Sequence, residues 1–386
     1  MSDSLVTIEG IEAARLRIAE FVRLTLLVPS QTLTDLFDVP VKLKLENLQR
    51  TGSFKVRGAN NVLAALGEPP AGVIAASAGN HAQAVALAAA QRNIPATVVM
   101  PQTAPAAKQQ ACRNYGAEIE LVDGSLASAQ TKARELDEER ALFYIPPYDA
   151  PEIVAGQRTL GLELVEQAPD LETVLVPAGG GGGGLLAGVA VAVKAHRPNA
   201  RVIGVQTSAM SGIVQSLQAS APIAALPRHT IADGPATTTP SKLTLSLLRE
   251  YVDDVIDVLA EAIARAIVFL LERARVVAED AGALGVAALL AGAGGRCQRI
   301  TVATANVPGE LERISGAIGR ACANIVDIEH DLSAPDLPVE VARLTVILEL
   351  PETSAIEVVR EDFQDDGFIE GELTDFETPA AANWPS

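Results

Sequence analysis

Lys55 sits in Thr51-Gly52-Ser53-Phe54-Lys55-Val56-Arg57-Gly58-Ala59, between a glycine-bearing loop and an apolar run. A lysine in a loop is ordinarily a solvated cation. One that follows a phenylalanine at the start of an apolar helix is favoured for partial burial. Burial lowers an amine's pKa and makes its neutral form available for imine formation. A second cluster is the unbroken run Gly179, Gly180, Gly181, Gly182, Gly183, Gly184, led into by TVLVPA and followed by LLAGVAVAVKAHR. A glycine run on its own reads as a linker. Between a strand and a helix its N–H groups can close around a phosphate, with the helix dipole adding to the attraction. No Lys-Ser/Thr follows it, which excludes the nucleotide P-loop. The third cluster is Ser77-Ala78-Gly79-Asn80-His81. Small residues and free N–H groups at a helix start suit an anion, a carboxylate as well as a phosphate; the ordinary alternative is an N-cap by Ser77 or Asn80. His81 is given no role.

These clusters need a frame that brings strand ends together, and the hydrophobic pattern supplies one. An amphipathic helix is predicted over 9–27 and a strand over 41–46, and a helix follows that ends at Gly67. From GVIAAS (72–77) onward, short apolar strands (96–100, 118–122, 173–178, 201–207) alternate with helical stretches. That rhythm predicts right-handed crossovers and a mostly parallel sheet. DDVIDVLAEAIARAIVFLLERARVVAE reads as a strand and then one long helix, and AGALGVAALLAG as a further helix. After AGAGGRCQR (291–299), read as a linker, the order becomes β-α-β-β-α-β, a ferredoxin-like α+β unit of the split type.

Composition narrows the function classes. The 386 residues are 48% hydrophobic and 20% charged, an ordinary globular balance, with only 3% aromatic residues. A core of Ala, Val, Leu and Ile suits helices packed closely on a sheet. The net charge of −18 argues against a nucleic-acid partner and an anionic membrane surface. It does not forbid an anionic ligand held by local backbone donors. Cys112, Cys297 and Cys322 show no C-x-x-C spacing, so neither zinc nor a disulfide framework is expected. MSDSLVTIEG lacks a secretory pattern and no apolar run reaches membrane-spanning length, so a cytoplasmic protein is expected.

SFKVRGA, SAGNHAQ and the glycine run before LLAG together resemble the threonine and serine ammonia-lyases (dehydratases), pyridoxal-phosphate enzymes of the tryptophan-synthase-β-like class. KLENLQRTGSFK, VVMPQTAPAAKQQACRNYGAEI, AGQRTLGLEL, HTIADG and AEDAGA extend the resemblance over most of residues 25–290. Residues 300–370 resemble an ACT domain, a small ligand-binding module. The resemblance implies an α/β fold of two lobes, open mostly parallel sheets with flanking helices, plus the ferredoxin-like ACT unit. The implied boundaries are a catalytic region over 1–297 with a small lobe at about 57–150, the ACT-like region over 298–376, and a tail over 377–386. It further implies pyridoxal 5'-phosphate held by Lys55 as a Schiff base, with Phe54 against its ring and the glycine run on its phosphate. Lys55 would later move the substrate's α-proton. Ser77, Ala78, Gly79 and Asn80 would hold the substrate carboxylate, Asn80 also lying near the ring hydroxyl. A homodimer or homotetramer is implied as well.

The departures matter as much. The glycine run is longer than the family's. The family's Gly-Gln-Gly-Thr is here Gly156-Gln157-Arg158-Thr159, and the Arg158 guanidinium would either clamp a second acid group of a substrate or point to solvent. The segment that normally carries a serine facing the pyridine nitrogen is missing at the junction, leaving Thr304 as the nearest comparable hydroxyl. The expected activity is therefore dehydration and deamination of threonine or serine. The alternatives are racemisation, β-replacement or elimination on an unusual β-substituted amino acid, or a degenerate amino-acid-binding homologue. In the C-terminal module, the loop Asn306-Val307-Pro308-Gly309-Glu310 is the expected contact for an amino-acid effector, notably Asn306 and Gly309. A purely structural pairing role is the competing reading of that module.

Overall fold

The computed structural model describes residues 8–178, 182–224, 239–292, 297–331, 341–349, 355–365 and 369–370. They form two compact units, Met1–Val286 and Ala287–Ser386.

The first unit opens with α1 (Ile8–Ile18), shorter than the helix expected over 9–27. Its apolar tail changes period: Thr25 is buried while Leu24 and Leu26 are exposed, an alternation of two that a strand satisfies and a helix does not. That stretch leads into β1 (Leu27–Pro29), which pairs antiparallel with β2 (Lys42–Lys44) across α2 (Gln31–Phe37).

A lobe follows, made of α3 (Lys55–Ala65), β3 (Val73–Ala76), α4 (Asn80–Ala90), β4 (Ala96–Pro101), α5 (Ala106–Asn114), β5 (Glu118–Val122), α6 (Leu126–Arg140) and β6 (Phe143–Tyr144). Its sheet has the order β5-β4-β3-β6 and is parallel throughout. Val73, Ala75, Val98 and Met100 face α3, α4 and α5, while Ile74, Ala76 and Val99 face α6. Both faces are covered, which is why these strands read as continuous apolar runs.

The second lobe contains α7 (Pro151–Gln167), β7 (Thr173–Pro177), α8 (Gly184–His196), β8 (Arg201–Thr207), α9 (Gly212–Ala219), α10 (Lys242–Tyr251) and β9 (Asp254–Val258). Its sheet, β7-β8-β9, is also parallel. Close helix contacts fix α7 against the first lobe and against α8. A β-carbon on Gly156 of α7 would lie 2.6 Å from the Arg57 carbonyl oxygen of α3, and one on Gly161 would lie 2.6 Å from Cβ of Ala192 in α8. Side chains at those two positions would push the helices apart.

The long helix expected after β9 is broken. α11 (Ala260–Phe269) passes into a π turn over Leu270–Ala274, and Arg275 stops it in the left-handed region at φ 57°. α12 (Asp280–Gly292) comes next, and the division between the units falls inside it rather than at the expected 297.

The second unit has β10 (Cys297–Ala305), α13 (Glu310–Arg320), β11 (Asn324–Asp331), β12 (Val341–Glu349), α14 (Ala355–Asp365) and β13 (Ile369–Glu370). Its sheet order is β11-β12-β10-β13, all antiparallel. The β-α-β-β-α-β order read from the sequence therefore closes as a ferredoxin-like unit. Ile300, Val302, Ile314, Ile318, Val346, Val359 and Phe363 form its own core.

Candidate active site

Lys55 is the first residue of α3, and its Nζ donates to the carbonyl oxygen of Pro147 at 2.9 Å. The residue keeps some surface exposure, but desolvation of the amine dominates. It pulls the pKa down to about 8, against the opposing charge of Glu279. The Phe54 ring lies beside the amine, centroid 5.4 Å from Nζ. The same short segment takes a second contact two residues earlier: His81 Nε2 donates to the Ile145 carbonyl oxygen at 3.0 Å. Burial, with the Lys55 charge adding to it, lowers the His81 pKa to about 3, so the ring is neutral and serves as a brace. Residues 145–148 thus dock the start of α3 and the start of α4 together.

Two residues on from Lys55, Arg57 enters a charge network to which the sequence reading gave no role. Arg57 is 0% exposed and reaches Glu46 (Nη2–Oε1, 2.8 Å), Glu163 (Nη1–Oε1, 2.6 Å) and the Thr159 hydroxyl (3.2 Å). Lys44 pairs with the far oxygen of Glu163 at 2.5 Å. Burial alone would lower the Arg57 pKa; hydrogen bonds and charge from Glu46 and Glu163 outweigh it and raise the pKa. The network ties the β2 turn, α3 and α7 at the point from which Lys55 projects.

Of the glycine run, Gly182, Gly183 and Gly184 are described; Gly179, Gly180 and Gly181 lie outside the described residues. The described three are demanded by packing. A β-carbon on Gly182 would lie 2.6 Å from the Tyr148 ring, and Gly183 has φ +71°. A linker needs neither feature. α8 begins here with no side-chain cap and no acid in its first turn, so its N–H donors are available to an anion. Tyr148 follows Pro147, so one dipeptide touches both the Lys55 amine and the glycine turn.

At the third cluster, the Gly79 N–H donates to Ser77 Oγ at 3.1 Å, and α4 starts at Asn80 with no side-chain cap. Ser77 is buried, while Ala78, Gly79 and Asn80 are partly exposed. Asn80 Nδ2 donates to Glu279 Oε1 at 2.5 Å. Glu279 therefore joins the site through both Asn80 and Lys55, a role that the sequence reading missed. Its only sequence signal was its place in AEDAGA. Lys108 was missed as well: its Nζ lies 3.9 Å from the position of a β-carbon on Gly79.

Two further expected residues have partners of their own. Arg158 does not point to solvent. It is 2% exposed, its backbone N–H is 3.0 Å from where a β-carbon on Gly188 of α8 would be, and the charge acting on it is that of Tyr251. Burial lowers its pKa to about 10. Its neighbours belong to the packing of α7 against α8 and α10, because a helix turns residue 158 away from the face that carries Gly156 toward α3. Thr304 lies in β10 of the second unit, where its hydroxyl donates to Glu310 Oε2 at 2.8 Å. That bond commits it to the first turn of α13. Asn306 and Gly309 lie on the exposed turn before α13, Gly309 at φ +101°. Residues 229–234 (HTIADG) lie outside the described residues. Among the described residues no group of three or more His, Cys, Asp or Glu is placed to hold a metal, and no helix is long and apolar enough to cross a membrane.

The donor set fits pyridoxal phosphate: a desolvated amine for its aldehyde, an aromatic ring beside that amine, and an uncapped glycine-led helix start for its phosphate. Comparison with known proteins agrees. Residues 18–304 match the family described as pyridoxal-phosphate dependent enzyme. The chain is 38% identical to an L-threonine ammonia-lyase of Thermotoga maritima, covering 92% of this chain and 96% of that protein. A solved threonine deaminase from Solanum lycopersicum superposes with TM-score 0.68 at 35% identity, covering 73% of this chain and 79% of the other. Serine racemase from Dictyostelium discoideum superposes with TM-score 0.69 at 34% identity, covering 74% and 92%.

Proposed function

The chain belongs to the pyridoxal-phosphate dependent enzymes, and from that premise we propose that it is an ammonia-lyase converting L-threonine to 2-oxobutanoate and ammonia. The observation that carries this reading is the Lys55 amine, desolvated to a pKa of about 8 and joined through Pro147 and Tyr148 to the glycine turn at α8. When bound, the cofactor supplies an electron sink that spreads the charge left at the substrate's Cα and so permits loss of the β-hydroxyl. Lys55 Nζ would hold the aldehyde end and, once displaced from it by the substrate's amino group, would be free to take the proton from Cα. Phe54 would shield the amine from water, and the N–H groups at the start of α8 would hold the phosphate. The turn Ser77-Ala78-Gly79-Asn80 binds the substrate carboxylate, and Glu279 fixes the Asn80 amide. The β-hydroxyl leaves as water, and hydrolysis of the remaining C–N bond yields the 2-oxo acid and ammonia. Serine is processed by the same steps.

The purified protein should absorb near the visible edge with cofactor bound and release 2-oxobutanoate and ammonia from L-threonine. A bound cofactor with no 2-oxo acid from threonine, serine or 3-hydroxyaspartate would overturn the reading. The likeness to serine racemase keeps one alternative measurable, since formation of D-serine from L-serine would show as a change of optical rotation without ammonia.

We read the C-terminal unit as an ACT-like module whose exposed turn Asn306–Gly309 contacts an amino-acid effector, in a homodimer or homotetramer. The ferredoxin-like strand order and the open space over Gly309 support this part of the reading.

A further inference from the structure

In a chain of net charge −18, a partly buried cation with no acid beside it stands out. Lys108 is one: among the described residues its amine has no hydrogen-bond or ion-pair partner. It stands in the first turn of α5, where the positive end of the helix dipole disfavours a cation, and that turn holds no acidic residue. It is partly buried as well. Its position thus leaves a cation at a helix start with no acid of its own turn to meet it. Its amine faces Gly79. Outside the neighbouring chain, Lys108 Nζ is, among the described residues, the one heavy atom within 4 Å of a β-carbon built there, at 3.9 Å. An ammonium and the carboxylate-binding turn therefore border one open space, with the side-chain-free Gly79 as its floor.

We infer that Lys108 is the counter-cation for the substrate's α-carboxylate at the Ser77–Asn80 turn, and so a determinant of specificity for free amino acids over neutral derivatives. This deepens the ammonia-lyase reading and rests on it for the identity of the carboxylate. A charge-assisted hydrogen bond from Lys108 adds to the backbone donors of the turn. It directs the substrate's anionic end to α5 and leaves its amino group for the Lys55 side of Asn80. Removing Lys108 should weaken binding of the anionic end while leaving the reacting end in place.

The holoenzyme and its Lys108→Gln and Lys108→Arg variants would be assayed with L-threonine and L-threoninamide, which lacks the carboxylate charge. Lys108→Gln should raise KM for threonine at least tenfold with kcat within about threefold, leave KM for threoninamide unchanged, and keep the cofactor absorbance. Lys108→Arg should recover most of the loss. Calorimetric titration with 2-oxobutanoate gives a readout independent of turnover: Lys108→Gln should bind it at least tenfold more weakly than the wild type. An unchanged threonine-to-threoninamide KM ratio together with unchanged 2-oxobutanoate binding overturns the inference while leaving the ammonia-lyase reading standing. A wild type that does not turn over threonine, yet binds 2-oxobutanoate in a Lys108-dependent way, overturns that reading and upholds the inference.

Discussion

At the scale of single residues, the chemistry rests on taking one amine out of water. With a pKa of about 8 in place of 10.5, roughly a tenth of Lys55 is neutral at pH 7, against about one part in three thousand for an ordinary lysine. The sign is that of desolvation: burial penalises the ammonium, so protonation is complete only well below pH 8. Capture of added cofactor by the cofactor-free protein should accelerate about tenfold per pH unit below that value and level off above it, as stopped-flow absorbance would record. A rate still climbing at pH 10 would mean that the amine is solvated. Lys55→Ala should abolish the absorbance band and lower turnover by at least about a thousandfold with the fold intact by circular dichroism. His81 does not blur this profile, because its pKa of about 3 keeps it neutral throughout.

At the scale of elements, Lys55 is aimed by the helix that carries it. α3 is held against α7 by the Gly156 contact and by the Arg57 network of Glu46, Glu163 and Lys44. Such buried ion pairs add little net stability when whole, but losing one partner leaves uncompensated charge. Arg57→Met should cost about 3–5 kcal/mol in urea unfolding, because Glu46 and Glu163 stay buried without it. Glu163→Gln should cost less, since a neutral amide still accepts from Arg57. The glycine turn obeys the opposite constraint, an absence of atoms. Gly182→Ala would drive a methyl into the Tyr148 ring, displace the segment that also meets Lys55, and weaken cofactor binding in a spectral titration. An unchanged cofactor Kd in Gly182→Ala would show that Tyr148 yields without moving the site.

At the scale of the whole molecule, a cofactor-bearing α/β unit is followed by a ferredoxin-like unit with its own core. Thr304 belongs to the latter, and Thr304→Val should loosen the start of α13, seen as faster amide exchange over Glu310–Arg313. The sequence by itself determined the strand–helix alternation of a mostly parallel sheet, the β-α-β-β-α-β succession and the three clusters at strand and helix ends, because hydrophobic period and glycine placement are local properties of the chain. It also carried the cofactor, through the family resemblance of SFKVRGA, SAGNHAQ and the glycine run. It misjudged the helices at 9–27 and after β9, where apolar residues fit two periods or continue past a π turn. Only the tertiary structure decided which charges are buried and which face the site. Arg57 and Arg158 look alike in sequence, yet one braces the Lys55 helix and the other lies against α8. Lys108 and Glu279 join the site from distant segments, because a parallel α/β fold gathers the C-terminal ends of its strands, and the loops beyond them, at one edge.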